Sequence, residues 1–287
     1  MRSNRLFSFI VVVAIYAIAT IFGIIIYKLL NYDYWLKFLI SDVCATVIVF
    51  IFSLLFKNAS CYDPYWSYTP MVVVVSLGLT FPLTPTRLLI IIAILVWGIR
   101  LTLNWAYTFT GLDHEDWRYM MLKEKSGKLY PFVNFLGIHL FPTLVVYLCM
   151  LPVMGMFYYD ASINVLVIIF FVFALIAPSI ELIADMQMHK FRKEKSGTFN
   201  RIGLWKYSRH PNYLGEIMMW ISVALLAIAA CGFKWYFIVG AIVNLLMFLF
   251  ISIPMADNHQ RSRKPGYDEY KKETRNLLPI KRFKTSN

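Results

Sequence analysis

The strongest constraint on this chain is a series of long apolar runs that contain very few charged residues. A helix needs about 20 consecutive, mainly apolar residues to cross the hydrocarbon core of a bilayer. Eight runs reach or approach that length: 6–26, 36–56, 70–83, 87–107, 132–153, 163–183, 213–231 and 233–253. The pattern predicts an all-α fold, namely a polytopic membrane helix bundle of seven or eight spans.

Three local features affect the span count. The third run is short and is bounded by Pro70 and Pro82, which predicts a broken or re-entrant helix. The first run follows Arg2 and Arg5 as a signal peptide would, but it exceeds the roughly 7–15 apolar residues of a signal core. We therefore expect the first span to be retained. The last two runs are joined so tightly at 231–232 that they must form a helical hairpin.

The composition excludes several classes of protein. Hydrophobic residues make up 59% of the chain, charged residues only 15%, and the mean hydropathy is +0.61. Soluble domains have about 45–50% apolar and about 25% charged residues, so a cytosolic enzyme and a disordered chain are both excluded. The four cysteines are far apart and form no Cys-x-x-Cys pair. They predict neither a disulfide framework nor a zinc site, and we expect no metal.

The net charge of +12 has a membrane explanation rather than a nucleic-acid one. Eight spans place both termini on one side, together with most of the basic residues. That side receives Arg2, Arg5, Lys57, the 111–131 and 186–210 loops, and a tail that ends in Lys281, Arg282 and Lys284. The other side receives only Lys28, Lys37, Arg87 and Lys234. The positive-inside rule then predicts cytoplasmic termini, in a bacterial inner membrane or the endoplasmic reticulum.

Polar side chains recur at four-residue spacing inside three of the runs. They are Arg100 and Asn104 in the fourth run, Glu181 and Asp185 in the sixth, and Asn212 and Glu216 in the seventh. Ionisable groups in a membrane are costly and mark functional sites by default, and residues four apart share a helix face. We expect them to line one ligand pocket; the alternative is that they pair only to hold the bundle together. His139 is expected to be an interior, hydrogen-bonded histidine.

The stretch 204–216, Leu-Trp-Lys-Tyr-Ser-Arg-His-Pro-Asn-Tyr-Leu-Gly-Glu, is the most specific motif. Pro211 suits the first turn of a helix, whose N-terminus attracts anions. Arg209 and His210 add positive charge just before it, and Asn212 and Tyr213 add hydrogen-bonding groups. The motif therefore predicts a phosphate-binding mouth at the membrane surface.

This motif resembles the C-terminal part of the steroid 5α-reductase family, and more closely a reductase-like branch of that superfamily. Six further segments are similar to that branch: 62–66 (Tyr-Asp-Pro-Tyr-Trp), 100–104, 115–119 (Glu-Asp-Trp-Arg-Tyr), 181–187, and in the tail 257–261 and 266–270. The resemblance covers roughly residues 60–285. It implies two N-terminal spans in 1–60 and a steroid 5α-reductase-like membrane domain with a basic tail in 61–287.

The resemblance implies an oxidoreductase that uses NADPH to reduce a carbon–carbon double bond in an apolar, steroid- or isoprenoid-like lipid. By position, Asp185, Arg192, Asn212, Glu216 and His259 match residues around the nicotinamide cofactor. Glu181 stands where the steroid enzymes have asparagine. The full candidate cofactor-binding set is Arg100, Asn104, Asp116, Arg118, Glu181, Asp185, Arg192, Arg209, His210, Asn212, Tyr213, Glu216 and His259. The basic run 190–201 is a candidate for holding the 2′-phosphate.

The chain departs from the family at the proton donor. The steroid enzymes polarise the substrate carbonyl with a Tyr–Glu pair, whereas the tyrosine position here holds Trp97. Tyr68, Asp63 and Tyr107 are the candidate catalytic residues in its place. Between the fourth and fifth spans, Asp113 is expected to cap a short helix, unless Asp116 and Arg118 close over the cofactor.

Two other functions remain open. Membrane isoprenylcysteine methyltransferases, which use S-adenosylmethionine, share the Arg-His-Pro core of 209–211. A sterol- or lipid-binding protein without catalytic activity would account for the missing Tyr–Glu pair. Binding of NADPH or of S-adenosylmethionine separates these functions.

Overall fold

The computed structural model of the protein describes residues 4–194 and 197–278, and these residues are mainly helical. Ser208 and Arg275 form an isolated bridge outside the helices. The α-helices are α1 (Arg5–Leu29), α2 (Tyr34–Phe56), α3 (Tyr65–Thr80), α4 (Pro85–Thr108), α5 (Trp117–Ser126), α6 (Tyr130–Val133), α7 (Phe141–Tyr158), α8 (Val165–Glu194), α9 (Pro211–Cys231), α10 (Val239–Met247), α11 (Ile253–Arg263) and α12 (Tyr267–Glu273). Two π-helical segments, Asn134–Leu140 and Phe248–Ser252, lead into α7 and α11. The predicted all-α fold is confirmed.

Within the described residues, seven helical segments are long and apolar enough to cross a membrane. The protein is therefore an integral, multi-pass membrane protein. The third predicted run is not among the seven, because α3 has only 16 residues, or about 24 Å at 1.5 Å per residue. It begins at Tyr65, and Pro70 lies inside it without ending the helix.

Local signals explain where the helices begin and end. The Asn4 side chain accepts a hydrogen bond from the Phe7 N–H at the start of α1. Thr84 caps α4 in the same way, and Pro85 occupies the first turn, where a missing N–H costs nothing. Gly232, with φ of 78°, ends α9 and turns the chain toward α10, as the predicted hairpin requires.

One end of the bundle holds the start of α1 and the ends of α4 and α8. Arg5 Nη2 donates to the Ala106 carbonyl at 2.9 Å, which joins α1 to the end of α4. The start of α9 meets α11 where His210 Nε2 lies 2.9 Å from Asp257 Oδ1. We call this the basic end, because α5 and the loop after α8 carry their lysines and arginines here.

The opposite end holds the short connections between the helices. The Tyr34 hydroxyl at the start of α2 donates to the Met154 carbonyl at 2.9 Å, near the end of α7. Arg87 Nη2 donates to the Phe157 carbonyl at 2.9 Å. With α3 counted as a pass, the chain crosses the bundle eight times, so Asn4 and α12 lie at the same end. The assignment of that end to the cytoplasm stays a prediction. Five basic residues of the sequence pattern lie outside the described residues: Arg2, Lys195, Lys281, Arg282 and Lys284.

Helices α8 and α9 pack closely, and their contact depends on Gly215. A Cβ atom there would lie 2.3 Å from Cγ of Glu181 and 2.8 Å from the Ala177 carbonyl oxygen. Side chains of α4, α7, α8 and α9 form the main apolar core. A second apolar cluster joins α1 and α2 to the segment 59–68. The predicted domain boundary between residues 60 and 61 stays a prediction.

Candidate functional site

Helices α4 and α8 are joined by a row of polar contacts that runs toward the basic end. Arg100 Nη1 lies 2.6 Å from Glu181 Oε2, and Arg100 Nη2 lies 2.7 Å from Asp185 Oδ2. One and two turns farther along, His189 Nε2 lies 2.9 Å from Asn104 Oδ1, and Lys193 donates to the Tyr107 hydroxyl. The four-residue spacing in α4 and α8 therefore does place these side chains on facing surfaces.

Glu216 on α9 is held by two tryptophans. The indole N–H of Trp97 donates to Oε2 at 2.8 Å, and that of Trp220 donates to Oε1 at 2.7 Å. Glu216 is 4% exposed, and the two rings meet edge to face at 4.9 Å. A carboxyl group buried in a membrane requires such donors. Trp97 is thus a hydrogen-bond donor within the cluster. Sequence reasoning missed this role because a tryptophan in an apolar run is usually a packing residue.

The cluster leaves hydrogen-bonding capacity unused. The Nε atom of Arg100 is buried and has no hydrogen-bond partner among the described residues. The carboxyl group of Glu181, by contrast, also interacts with that of Glu216. Unpartnered buried polar atoms are uncommon, because each costs about 1–3 kcal/mol. Arg100 Nε is a donor, so a ligand that offers an acceptor would complete the cluster.

Arg209 and His210 are turned toward the C-terminal segment rather than left open. Asp257 on α11 receives Arg209 Nη2 at 3.0 Å and His210 Nε2 at 2.9 Å. It also receives the Tyr267 hydroxyl at 2.6 Å and lies 3.3 Å from Lys271 Nζ. Burial lowers the pKa of His210, and the contact with Asp257 opposes that change. The expected phosphate mouth is therefore occupied on this side by the chain itself.

A second cluster of polar side chains lies at the start of α5. Asp116, and not the expected Asp113, is the N-cap of α5, and it accepts the Arg118 N–H at 2.9 Å and Arg118 Nε at 2.8 Å. Burial acts to raise the pKa of Asp116, but Arg118 outweighs it and the net shift is downward. Tyr119 donates to Asp63 at 2.6 Å, and burial raises the pKa of Asp63 to about 6.

His259 and Tyr213 each stack on an aromatic neighbour. The His259 ring lies 3.7 Å from that of Trp117, nearly parallel, so α11 is joined to α5. The Tyr213 ring stacks on His210 at 5.1 Å. These contacts, with Asp116 and the α4–α8 row, place most of the candidate cofactor-binding residues at the basic end of the bundle. Asn212 is half-buried and Arg192 is exposed at the end of α8.

The three candidate proton donors face different helices. The Tyr68 hydroxyl pairs with Thr20 on α1 at 2.9 Å, and Asp63 is bound by Tyr119 of α5. Tyr107 is 57% exposed and faces Lys193. The structure does not bring the three together.

Comparison with known proteins shows the family to which the chain belongs. Residues 49–274 match the family model described as a protein of unknown function, DUF1295. The chain belongs to the DUF1295 family. An uncharacterized protein of Schizosaccharomyces pombe is 26% identical to it over 251 aligned residues, which cover 71% of this chain and 68% of that protein. No solved structure matches the chain.

This DUF1295 protein also contains a buried polar network that sequence reasoning missed. Tyr65 donates to Asp42 at 3.1 Å, and the Thr143 hydroxyl lies 2.7 Å from that of Tyr62 and 3.0 Å from that of Thr46. Hydroxyls within apolar runs give little sequence signal, because each alone is ordinary in a helix.

His139 is fully buried beside this network, as expected of an interior histidine. Its Nδ1 lies 3.0 Å from the Asn134 carbonyl, inside the π-helical segment. No group of three or more His, Cys, Asp or Glu side chains suited to a metal occurs within residues 4–194 and 197–278.

Proposed function

We propose that this protein is a membrane reductase that uses NADPH to reduce a carbon–carbon double bond in a lipid. One observation carries the proposal: Arg100, Glu181, Asp185 and Glu216, from three helices, meet in a single cluster, in which Arg100 pairs with Glu181 and Asp185 and the Glu181 carboxyl contacts that of Glu216. These residues lie in the segments that resemble the steroid 5α-reductase family. Such a cluster in the membrane needs a reason beyond stability, because ionisable groups there are expensive.

The unpartnered donor of Arg100 is the observation that bears on the fit of a nicotinamide. Arg100 Nε needs an acceptor, and the carboxamide of a nicotinamide offers one through its C=O group. The cationic side chain of Arg192, at the end of α8, suits the phosphates of such a cofactor. The residues present therefore fit the group.

Each element of the site has a defined task in the proposed reaction. Bound NADPH would supply a hydride to the electron-poor carbon of the double bond. Arg100, paired with Glu181 and Asp185, would fix the orientation of the carboxamide, and the apolar core of α4, α7 and α9 would exclude water. A proton must reach the other carbon, and Tyr68, Asp63 and Tyr107 remain the proposed donors.

The Arg-His-Pro core does not favour the methyltransferase alternative. Arg209 and His210 are bound by Asp257, so this motif has a structural task that either class of enzyme could share. The cluster around Glu216 is separate from it.

Cofactor binding tests the proposal directly. The purified protein in nanodiscs would be titrated with NADPH, NADH and S-adenosylmethionine, and quenching of tryptophan fluorescence would report occupancy near Trp97 and Trp220. We expect NADPH to bind, and Glu216→Gln to weaken it at least about tenfold, because the new NH₂ group would face one of the two indole N–H donors and disturb the cluster. Glu269→Gln, on the exposed face of α12, is the matched control. Binding of S-adenosylmethionine alone, or equal NADPH affinity in Glu216→Gln, would overturn the proposal.

A further inference from the structure

A large open groove lies between α5 and α11, at the basic end. Its volume is about 500 Å³, within the range of sites for small organic molecules. The stacked rings of Trp117 and His259 join its two walls. The groove borders the candidate cofactor site through His259, whereas Arg100, Glu181 and Glu216 are not part of its lining.

The lining of the groove has an apolar part and a polar part. Trp117, Met120, Met121 and Met255 supply an apolar surface, and methionine adapts readily to irregular ligands. The rest of the lining is polar: Asn258, His259, Ser262, Lys125, Arg263 and Glu124. Two permanent cations face one carboxylate, so the polar part favours an anion. The groove therefore suits a molecule that has both an apolar body and a negatively charged group.

Both walls of the groove continue into surfaces that face lipid. Beyond α5, the side chains of Leu129 and Phe132 are 64% and 68% exposed. Before α11, Phe250 and Ile251 in the π-helical segment are 73% and 46% exposed. In a membrane-spanning bundle, exposed side chains of this kind contact acyl chains. The exposure of these apolar side chains predicts that the groove lies at the depth where head groups begin.

We propose that the groove between α5 and α11 binds an anionic phospholipid of the leaflet at the basic end. The phosphate lies beside Lys125 and Arg263, and the glycerol and upper acyl chain lie along the methionines. Charge and apolar lining together select this occupant over a soluble anion, which would leave the methionines and Trp117 in water. The proposal does not depend on reductase activity.

Native mass spectrometry of the full-length protein tests lipid selection. The protein would be exchanged into detergent with equal amounts of phosphatidylglycerol and phosphatidylcholine, and the retained lipids counted. We expect phosphatidylglycerol to be retained preferentially, and the double variant Lys125→Gln/Arg263→Gln to lower that preference by about tenfold, since each surface cation contributes to binding of anionic lipid. Lys28→Gln/Lys234→Gln, at the opposite end, removes the same charge and should leave the preference unchanged.

Two further experiments distinguish a bound phospholipid from free phosphate or the phosphates of NADPH. Met120→Gln/Met255→Gln should reduce retention of phosphatidylglycerol, because it removes the apolar contacts while Lys125 and Arg263 stay in place. Inorganic phosphate and NADPH should each fail to displace the lipid. Equal retention of both lipids, equal loss in the two charge variants, or displacement by phosphate or NADPH would overturn the proposal. Thermal unfolding confirms that each variant is folded, and surface changes of this kind seldom cost more than about 0.5 kcal/mol.

Discussion

At the scale of single residues, the buried charged groups of this protein have two different roles: some form the candidate ligand site, and others hold helices together. Arg100 pairs with both Glu181 and Asp185 inside the membrane-spanning bundle, and its Nε atom is left without a partner. Asp257 has its oxygens occupied by Arg209, His210 and Tyr267. Asp257 therefore acts as a structural joint, whereas the cluster around Arg100 is the candidate ligand site.

Asp257→Asn tests the structural joint. The carboxylate is 4% exposed, and its loss leaves the Arg209 guanidinium buried without a counter-ion. Removal of one partner of a buried ion pair costs about 3–5 kcal/mol, and we expect the free energy of unfolding to fall by that amount. Thermal or denaturant unfolding in nanodiscs provides the measurement.

Asp268→Asn is the control for that prediction. Asp268 pairs with Arg261 on the surface, where the two side chains are 53% and 51% exposed. Exposed pairs contribute about 0–1 kcal/mol, so this variant should unfold close to the wild type. If the two variants lost equal stability, Asp257 would not be the structural joint described here.

At the scale of helices, the closeness of α8 and α9 decides whether the site exists. Glu181 and Glu216 lie on these two helices, and the backbones can approach only because residue 215 has no side chain. The π-helical segments Asn134–Leu140 and Phe248–Ser252 shift the register of the helices that follow them, and such segments are frequent at functional sites.

Gly215→Ala tests the α8–α9 contact. Its Cβ would overlap Cγ of Glu181 at 2.3 Å, so α9 must move or Glu181 must change rotamer. Overpacking of this kind costs about 1–3 kcal/mol. We expect a lower midpoint of thermal unfolding and weaker NADPH binding together.

Gly137→Ala is the matched control for Gly215→Ala. Gly137 is also helical, but nothing lies within 4 Å of the position its Cβ would take. Alanine is favoured over glycine in helices by up to about 1 kcal/mol, so this variant should be as stable as the wild type or slightly more so. A smaller loss in Gly215→Ala than in Gly137→Ala would contradict the close contact.

At the scale of the whole molecule, seven helical segments of the described residues are long and apolar enough to span a membrane, and α3 adds an eighth, shorter pass through the bundle. The contacts at the two ends of the bundle fit this path, which predicts that Asn4 and α12 face the same side of the membrane. The excess of basic residues at one end predicts that this side is the cytoplasm.

Cysteine accessibility tests the topology. In a background with Cys44, Cys61, Cys149 and Cys231 replaced, single cysteines would be introduced at Glu124, Glu273, Asp33 and Asp160. All four positions are exposed. We expect a membrane-impermeant thiol reagent to label the first two from the cytoplasm and the last two from the other side. Labelling of Glu124→Cys and Asp33→Cys from the same side would contradict the fold.

The amino-acid sequence by itself determined the membrane class, the all-α fold and the approximate position of every long helix. Those properties follow from the length of apolar runs and from local signals such as Thr84 and Gly232. It also determined that Glu181 and Asp185 share a face, because helical periodicity is local.

Only the tertiary structure decided which polar groups meet. Nothing local to Arg209 shows that Asp257, 48 residues away, will bind it, and nothing local to Trp97 shows that it will donate to Glu216, 119 residues away. These partners are set by how closely helices pack and by their rotation about their own axes. For that reason the sequence indicated a polar cluster, and the fold determined which of its members pair with the chain and which atoms remain free for a ligand.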